Sequence, residues 1–202
     1  MKKYTQEEFD LFPVDKYGRK QCPSGDYTLI AKFPSCCIFD DLCIFDDLCI
    51  FGERCLFGAC CSFGEGCTFG ECCSFGECCS FGKFCSIGEC CSFGKLCTFG
   101  ECCSFGECCS FGEFCSFGKQ GKCEFGNFKA MYTVSGFGSA GRTTYFFHMV
   151  DGRIYVRCGC FAGSIDAWEN MVKKTHGNSV LAESYLLIGK AVRAICEKPE
   201  EE

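Results

Sequence analysis

Cysteine is the residue type in this sequence with the greatest capacity for chemistry. The chain has 202 residues, of which 26 are Cys and only two are His. Thiolates bind soft metal ions, form disulfides and act as nucleophiles. A zinc ribbon needs two Cys pairs that are separated by a long spacer. Here one Cys recurs at every sixth position from Cys37 to Cys115, and this spacing does not match such a site.

The Cys row belongs to a six-residue repeat, Phe-Gly-Glu-x-Cys-Ser, which occupies residues 33–116 in fourteen copies. A period of six differs from the 3.6 residues of a helical turn, and Gly from Gly52 onward disfavours a helix. A bulky residue followed four places later by a small one favours a parallel β-helix with both side chains inward. We expect the Gly to take the turn conformation at each corner, because it lacks a Cβ. Representative members of the predicted core are Phe63, Cys67, Phe69, Cys73, Phe75 and Cys79.

This pattern resembles the hexapeptide-repeat family of left-handed parallel β-helices, whose motif is aliphatic-Gly-x-x-small-x. The resemblance implies three hexads in each triangular coil, and therefore about 4–5 coils from fourteen hexads. The predicted fold is mainly β. It has an N-terminal cap in residues 1–32, a three-sided parallel β-helix in residues 33–128 and a small α+β module in residues 129–202.

The C-terminal module lacks the hexad and predicts a three-stranded antiparallel sheet followed by two helices. The strands are expected at 131–134, 143–150 and 153–161, since these runs are rich in β-branched and aromatic residues. The helices are expected to begin at Ser164 and Ser179, the first of them ending before Gly177. On the third predicted strand, Cys158 and Cys160 lie on the same face and are interpreted as core residues.

Residues 18 apart stack in this fold, so the cysteines fall into an inward and an outward set. The inward row is interpreted as packing; the alternative is a thiolate or disulfide ladder. Stacked Cβ atoms about 4.8 Å apart exceed the 3.5–4.5 Å that a relaxed disulfide needs. The outward cysteines are expected to be covered by a flanking segment or a partner, because exposed thiols oxidise. Metal binding by this set is the alternative, although a flat row supplies no tetrahedral cage. The outward set is Cys60, Cys72, Cys78, Cys90, Cys102 and Cys108.

Negative charge is concentrated in the repeat. Residues 33–119 hold twelve acidic and four basic side chains, a net charge of −8. This surface repels phosphate, so direct nucleic-acid binding is not expected. These negative charges either maintain solubility or form a surface that recognises a basic partner. The candidate interaction surface combines one column of carboxylates with the neighbouring thiols, namely Glu53, Glu71, Glu89, Glu107, Cys72, Cys90 and Cys108.

The first coil is unusual because its outward positions carry large aliphatic side chains where later coils have Ser or Thr. This apolar collar is too large to leave in water. We therefore expect the N-terminal cap to cover it with its own apolar residues. The collar comprises Ile38, Leu42, Ile44, Leu48, Ile50 and Leu56, and the expected covering residues include Phe9, Leu11, Tyr17, Tyr27 and Leu29.

The segments 21–27 and 151–161, together with the Cys-Ser-Phe-Gly-Glu repeats, look like repeat proteins of bacteriophages and prophages of gut bacteria. The resemblance implies an accessory phage product, and we expect it to act by binding a host or phage macromolecule. A protein partner is expected, and a homo-oligomer is an open alternative. No catalytic residue, cofactor or metal site is predicted.

Two other functions stay open. One is an acidic DNA mimic that inhibits a nucleic-acid-binding protein. The other is an acyltransferase-like enzyme, for which the hexapeptide-repeat resemblance implies a His base, although residues 33–119 contain no His. No secretory signal is recognisable, and no apolar run approaches the roughly 20 residues that span a bilayer. The cytoplasm of a bacterial host is therefore the expected location, without membrane association.

Overall fold

The structure is a computed structural model that describes residues 1–106, 108–112, 115–118, 120–137 and 142–197. The chain divides into two compact units, Met1–Glu124 and Phe125–Glu202. None of the helices among these described residues is both long and apolar enough to cross a membrane.

The first unit is a parallel β-solenoid, which confirms the predicted fold class. Each hexad contributes a short strand, and each strand pairs in parallel with the strands three hexads before and after it, as Phe57 pairs with Phe39 and Phe75. Three parallel sheets therefore form the sides of the solenoid. The first sheet contains β1 (Lys20–Cys22), β3 (Cys37–Phe39), β6 (Leu56–Phe57), β9 (Ser74–Phe75), β12 (Ser92–Phe93) and β15 (Ser110–Phe111). The second contains β4 (Ile44–Phe45), β7 (Ser62–Phe63), β10 (Ser80–Phe81), β13 (Thr98–Phe99) and β16 (Ser116–Phe117). The third contains β2 (Lys32–Phe33), β5 (Ile50–Phe51), β8 (Thr68–Phe69), β11 (Ser86–Ile87), β14 (Cys103–Phe105) and β17 (Gly121–Cys123).

The stack has about six coils, since the first sheet contains six strands. This is more than the 4–5 coils expected from the hexads, because the N-terminal segment adds a coil. In that segment β1 pairs with β3, β2 pairs with β5, and Asp26 forms a parallel bridge to Ile44. The added coil lacks the hexad pattern, so the repeat count does not include it.

Phenylalanine and cysteine side chains fill the interior of the solenoid. The six representative core residues are each at most 3% exposed. Rings at equivalent positions of successive coils stack in parallel, as Phe57 and Phe75 do with centroids 4.8 Å apart. Rings on neighbouring sheets meet edge to face, as Phe63 and Phe69 do at 4.9 Å. Both arrangements are favourable for aromatic pairs, and the stacking distance matches the spacing of adjacent strands.

The glycine at the second position of the hexads from Gly52 onward does not adopt the left-handed turn conformation that the sequence suggested. The left-handed backbone conformation belongs to the residue two positions later, for example Cys78 with φ of 58° and Phe84 with φ of 58°. A Cβ on Gly76 would lie 2.6 Å from the backbone N of Ala59 and the backbone C of Gly58 in the preceding coil. Glycine is therefore required because successive turns stack backbone against backbone, and the expectation of a glycine turn conformation is wrong.

The N-terminal end of the aromatic core is closed by residues that precede the repeat. Helix α1 (Gln6–Asp10) begins at Thr5, whose side chain accepts a hydrogen bond from the Glu8 backbone N–H in a capping box. The Phe9 ring meets Phe33 edge to face at 5.4 Å. The Tyr27 ring stacks on Phe45 at 5.4 Å. These rings continue the aromatic packing beyond the first hexad.

The second unit contains antiparallel strands followed by two helices. The strands are β18 (Gly126–Phe137), β19 (Arg142–Met149), β20 (Ile154–Cys158) and β21 (Phe161–Ser164), and the helices are α2 (Ile165–His176) and α3 (Val180–Cys196). The helices begin at the predicted residues, since the Ser164 and Ser179 hydroxyls accept hydrogen bonds from Ala167 N–H and Ala182 N–H. Trp168 is fully buried, with its ring edge to face against Phe146 at 5.4 Å.

The predicted third strand of this unit is wrong in one respect. It is divided by a turn into β20 and β21, which pair with each other through Cys158 and Phe161. Gly159 takes a φ of 61° in this turn, a conformation that glycine adopts readily. The turn leaves Cys160 exposed and Cys158 half-buried, so that the two do not share a core face.

Candidate functional site

The outward cysteines lie at the turns between the sheets of the solenoid, here called edges. Each occupies the fourth position of its hexad. On one edge Cys72, Cys90 and Cys108 follow one another in successive coils, and on another Cys60 precedes Cys78. All five are exposed. We call the first set the three-cysteine ladder and the second the cysteine pair.

Backbone hydrogen bonds hold these turns in register from coil to coil. The Cys72 N–H donates to the carbonyl oxygen of Glu89 at 2.9 Å. The Cys60 N–H donates to the carbonyl oxygen of Glu77 at 2.8 Å. Both acceptors belong to the next coil, so each edge is a regular array in which equivalent residues repeat along the stack.

Exposure of the outward cysteines contradicts one part of the sequence interpretation. Among the described residues, no flanking segment covers the three-cysteine ladder or the cysteine pair, and Cys102 is exposed as well. The N-terminal segment that flanks the repeat pairs with the end of the stack instead. The suggestion that a partner covers these cysteines stays a prediction.

The inward cysteines have a hydrogen-bonding role in addition to packing. The Sγ of Cys79 donates to the carbonyl oxygen of Gly58 at 3.3 Å, and the Sγ of Cys85 donates to that of Gly64 at 3.4 Å. From Cys73 onward each inward thiol supplies a donor to a glycine carbonyl of the preceding coil, whereas Cys55, Cys61 and Cys67 donate to the carbonyl oxygens of Pro34, Asp40 and Asp46. A purely aliphatic side chain does not supply such a donor. The hydrogen bond with Cys61, together with burial, raises the pKa of Cys79 to about 12. This thiol therefore stays protonated and unreactive at neutral pH.

The acidic column lies beside the three-cysteine ladder. Glu53, Glu71 and Glu89 are exposed, and Glu107 lies outside the described residues. Glu71 and Glu89 immediately precede Cys72 and Cys90 in the chain. Carboxylates and thiols therefore repeat together along this edge.

The apolar collar of the first repeats is exposed rather than covered. Five of its side chains are between 37% and 71% exposed, and they all fall within one turn of the solenoid, namely Leu42, Ile44, Leu48, Ile50 and Leu56. We call these five residues the aliphatic belt. Leu11, Tyr17 and Leu29, which were expected to cover it, are themselves exposed. The expectation fails because the N-terminal chain extends the solenoid along its axis and does not run along its outside.

Acidic residues alternate with the aliphatic belt. Asp40, Asp41, Asp46 and Asp47 are exposed. The Oδ1 atoms of Asp41 and Asp47 accept hydrogen bonds from the Ala59 and Glu65 backbone N–H groups, both at 2.7 Å. These two carboxylates therefore also stabilise the turns of the next coil, and the belt is presented by an ordered backbone.

The second unit contains two histidines and the half-buried Cys158 among its described residues. His148 is buried on β19, and His176 stacks on Tyr185 with centroids 5.7 Å apart. The Thr144 Oγ1 donates to the Cys158 Sγ at 3.2 Å. Within the described ranges of both units, no group of three or more His, Cys, Asp or Glu side chains is arranged to hold a metal ion.

Comparisons of the chain with protein-family models, with curated proteins and with solved structures find no match. Function is therefore inferred from the exposed residues of the solenoid. Three surfaces are available for this purpose: the aliphatic belt, the acidic column and the cysteine-bearing edges.

Proposed function

We propose that this protein acts by binding another protein, without catalysing a reaction, and that the aliphatic belt is the centre of the binding surface. The observation that carries the proposal is the exposure of five large aliphatic side chains within one turn of the solenoid. Exposed groups of large apolar side chains typically mark protein interaction sites. Ile44, Ile50 and Leu56 lie on three different sheets, so the partner would wrap around this coil. The later coils have Ser or Thr at equivalent strand positions, for example Ser62 after Ile44 and Thr68 after Ile50.

The charge around the belt suggests the chemistry of the partner. Two exposed aspartates precede the belt and two lie within it, and residues 33–119 carry a net charge of −8. A partner with basic residues around an apolar centre would complement both features, and the opposite charges would accelerate its association. The resemblance of the repeats to phage proteins supports a partner from the bacterial host or from the phage, and hence a role in modulating a host process in the cytoplasm.

The aliphatic belt favours protein binding over DNA mimicry, because a surface that imitates DNA acts through charge alone. The two ideas predict different sensitivities. Binding through the belt depends on its aliphatic side chains, whereas mimicry depends on carboxylates such as Glu71 and Glu89. Affinity measurements on variants of the belt and of these carboxylates therefore distinguish the two functions.

The test uses a triple variant of the belt, Ile44→Ser, Ile50→Thr and Leu56→Ser. Each new residue stands at the same position one coil later, as Ser62, Thr68 and Ser74, so the solenoid should fold normally. The partner is first captured from host lysate by the wild-type protein and identified, and its affinity for each purified variant is then measured. We expect the triple variant to bind at least about tenfold more weakly, since each buried aliphatic group contributes about 1–2 kcal/mol.

Two further variants make the test specific. Leu187→Gln replaces an exposed aliphatic residue of the second unit and should leave affinity unchanged. Glu71→Gln combined with Glu89→Gln should slow association modestly and flatten its salt dependence. Unaltered affinity of the belt variant would refute the proposal. Loss of binding in the glutamate variant alone would favour the acidic column and DNA mimicry.

A further inference from the structure

We propose that the stacked cysteines on the solenoid edges bind soft monovalent cations, such as Cu(I), each cation held by two thiolates from successive coils. The sites are Cys60 with Cys78 on one edge, and Cys90 with Cys72 or Cys108 on the other. This activity is independent of the aliphatic belt and of the partner proposed above.

The spacing of the coils favours a metal bridge over a disulfide. Equivalent residues of successive coils are separated by about the strand spacing, as the 4.8 Å stacking of Phe57 on Phe75 and of Phe63 on Phe81 shows. A relaxed disulfide needs Cβ atoms about 3.5–4.5 Å apart, which is closer than this spacing. A cation midway between two sulfurs, with metal–sulfur bonds of about 2.3 Å, needs the sulfurs about 4.6 Å apart.

The backbone presents these thiols in a repeated orientation. The φ angles are 58° at Cys60, Cys72 and Cys78, 55° at Cys90 and 59° at Cys108. With the same backbone conformation in each coil, the Cα–Cβ bonds project in the same direction. This left-handed conformation favours Gly, Asn or Asp, and one hexad does place Gly66 there. Other hexads place Leu42, Arg54 and Phe84 in the same conformation, so the geometry of the turn does not by itself require Cys at this position.

Charge around the sites favours a cation. Glu77 precedes Cys78 and Glu89 precedes Cys90 in the chain, and both carboxylates are exposed. Their negative charge attracts a cation, and a bound cation offsets part of the repulsion between two neighbouring thiolates. Binding replaces two thiol protons by one monovalent cation, so that the site gains one negative charge and two protons pass to solvent.

The number of ligands selects the type of cation. Tetrahedral zinc needs four ligands, and no group of three or more suitable side chains exists in the part of the chain that the structure describes. Soft thiolate ligands suit Cu(I) as well as zinc, and of these two ions Cu(I) is the one that needs fewer than four ligands. Two stacked sulfurs supply a two-coordinate site for such an ion without any change in the backbone.

The experiment titrates the reduced full-length protein with Cu(I) under anaerobic conditions, in competition with a chromophoric Cu(I) chelator. The test variant replaces Cys60, Cys72, Cys78, Cys90 and Cys108 by Ser. The matched control replaces Cys102 and Cys160 by Ser; both are exposed, and Cys102 stacks between Phe84 and Gln120 in the repeat rather than on another Cys. Melting temperatures show that each variant is folded.

We expect the wild type and the control to bind two equivalents that the test variant lacks, one at the cysteine pair and one at the ladder. X-ray absorption at the copper edge should show two sulfur neighbours for each bound ion. Equal Cu(I) binding by the wild type and the test variant would overturn the proposal. A ready Cys60–Cys78 disulfide, detected by mass spectrometry after mild treatment of the folded protein with a low-molecular-weight disulfide, would also overturn it.

Discussion

Cys78 and Cys79 are adjacent in the chain and belong to the same hexad, yet they have different chemical environments. Cys79 is fully buried, and its thiol donates a hydrogen bond to the Gly58 carbonyl oxygen. Cys78 is exposed in a left-handed turn, one coil after Cys60. The pKa values of both thiols are raised, that of Cys79 by its hydrogen bond with Cys61 and by burial, and that of Cys78 by desolvation and its neighbours.

This difference shows that the number of cysteines in a repeat protein says little about its reactivity. A shift of one position moves a thiol from the packed interior to an edge. The inward row stabilises the stack by filling space and satisfying carbonyl groups. The outward row joins successive coils through its backbone N–H groups, while its side chains are exposed to solvent.

A negative charge at Cys79 should affect stability far more than the same charge at Cys78. Cys79→Asp should prevent folding of the solenoid, because burying a carboxylate that lacks a cationic partner costs several kcal/mol. Cys78→Asp should leave the melting temperature nearly unchanged, since the side chain projects into water. Circular dichroism and thermal unfolding measure both variants. A folded Cys79→Asp protein with wild-type stability would show that the interior is not closely packed.

Glycine substitutions extend the comparison to the backbone. Gly76→Ala should cost about 3 kcal/mol, because the new Cβ meets backbone atoms of Ala59 and Gly58 at 2.6 Å. Gly66→Ala should cost about 1 kcal/mol, the strain of a left-handed alanine, since its Cβ meets only the flexible end of Leu48. Denaturant unfolding gives the two free energies. Equal costs would contradict the conclusion that close stacking of successive coils requires the hexad glycine.

A milder substitution measures what the inward thiol contributes. Cys79→Ala should lower the free energy of unfolding by about 1–2 kcal/mol, because it removes a packed sulfur and leaves the Gly58 carbonyl without this donor. Cys78→Ala should leave unfolding unchanged within error. Cys79→Ser retains a donor and should lie between the wild type and Cys79→Ala. An alanine variant as stable as the serine variant would mean that the thiol hydrogen bond contributes nothing.

Alkylation rates give the smallest but most specific contrast. In the folded protein, iodoacetamide should modify Cys78 and Cys90 and spare Cys79, because only the exposed thiols are accessible. The pKa values of Cys78 and Cys90 are raised, so their thiolates form at higher pH than that of free cysteine. Their alkylation rates should therefore reach half-maximum at a higher pH. Mass spectrometry after timed exposure at several pH values measures this, and a profile at or below that of free cysteine would be the contrary result.

Much of the architecture was predictable from local sequence. The period of six and the alternation of inward and outward side chains predict the solenoid and its Phe–Cys interior, because they depend on strand geometry that each hexad repeats. Ser164, Ser179 and Gly177 predict the ends of the helices for the same kind of reason, since capping involves residues within one turn. Periodicity also placed the outward cysteines in columns, although as part of flat faces rather than turns.

The features that the sequence did not predict depend on residues that are distant in the chain. The need for Gly76 comes from contact with Gly58 and Ala59 in the preceding coil. The extra coil comes from the pairing of β1 and β2, which lack the hexad, with β3 and β5. Division of the third predicted strand follows from the pairing of β20 with β21.

The local pattern of residues specifies which side chains face the interior and how often they recur, because side-chain alternation and the six-residue period are local properties. The exposure of the outer residues depends instead on how distant segments pack. The aliphatic belt and the cysteine edges are exposed because the N-terminal segment joins the end of the stack. There its strands pair with β3 and β5, and its aromatic rings pack against the end of the core. The position of the N-terminal segment depends on hydrogen bonds and packing between segments that are far apart in the chain.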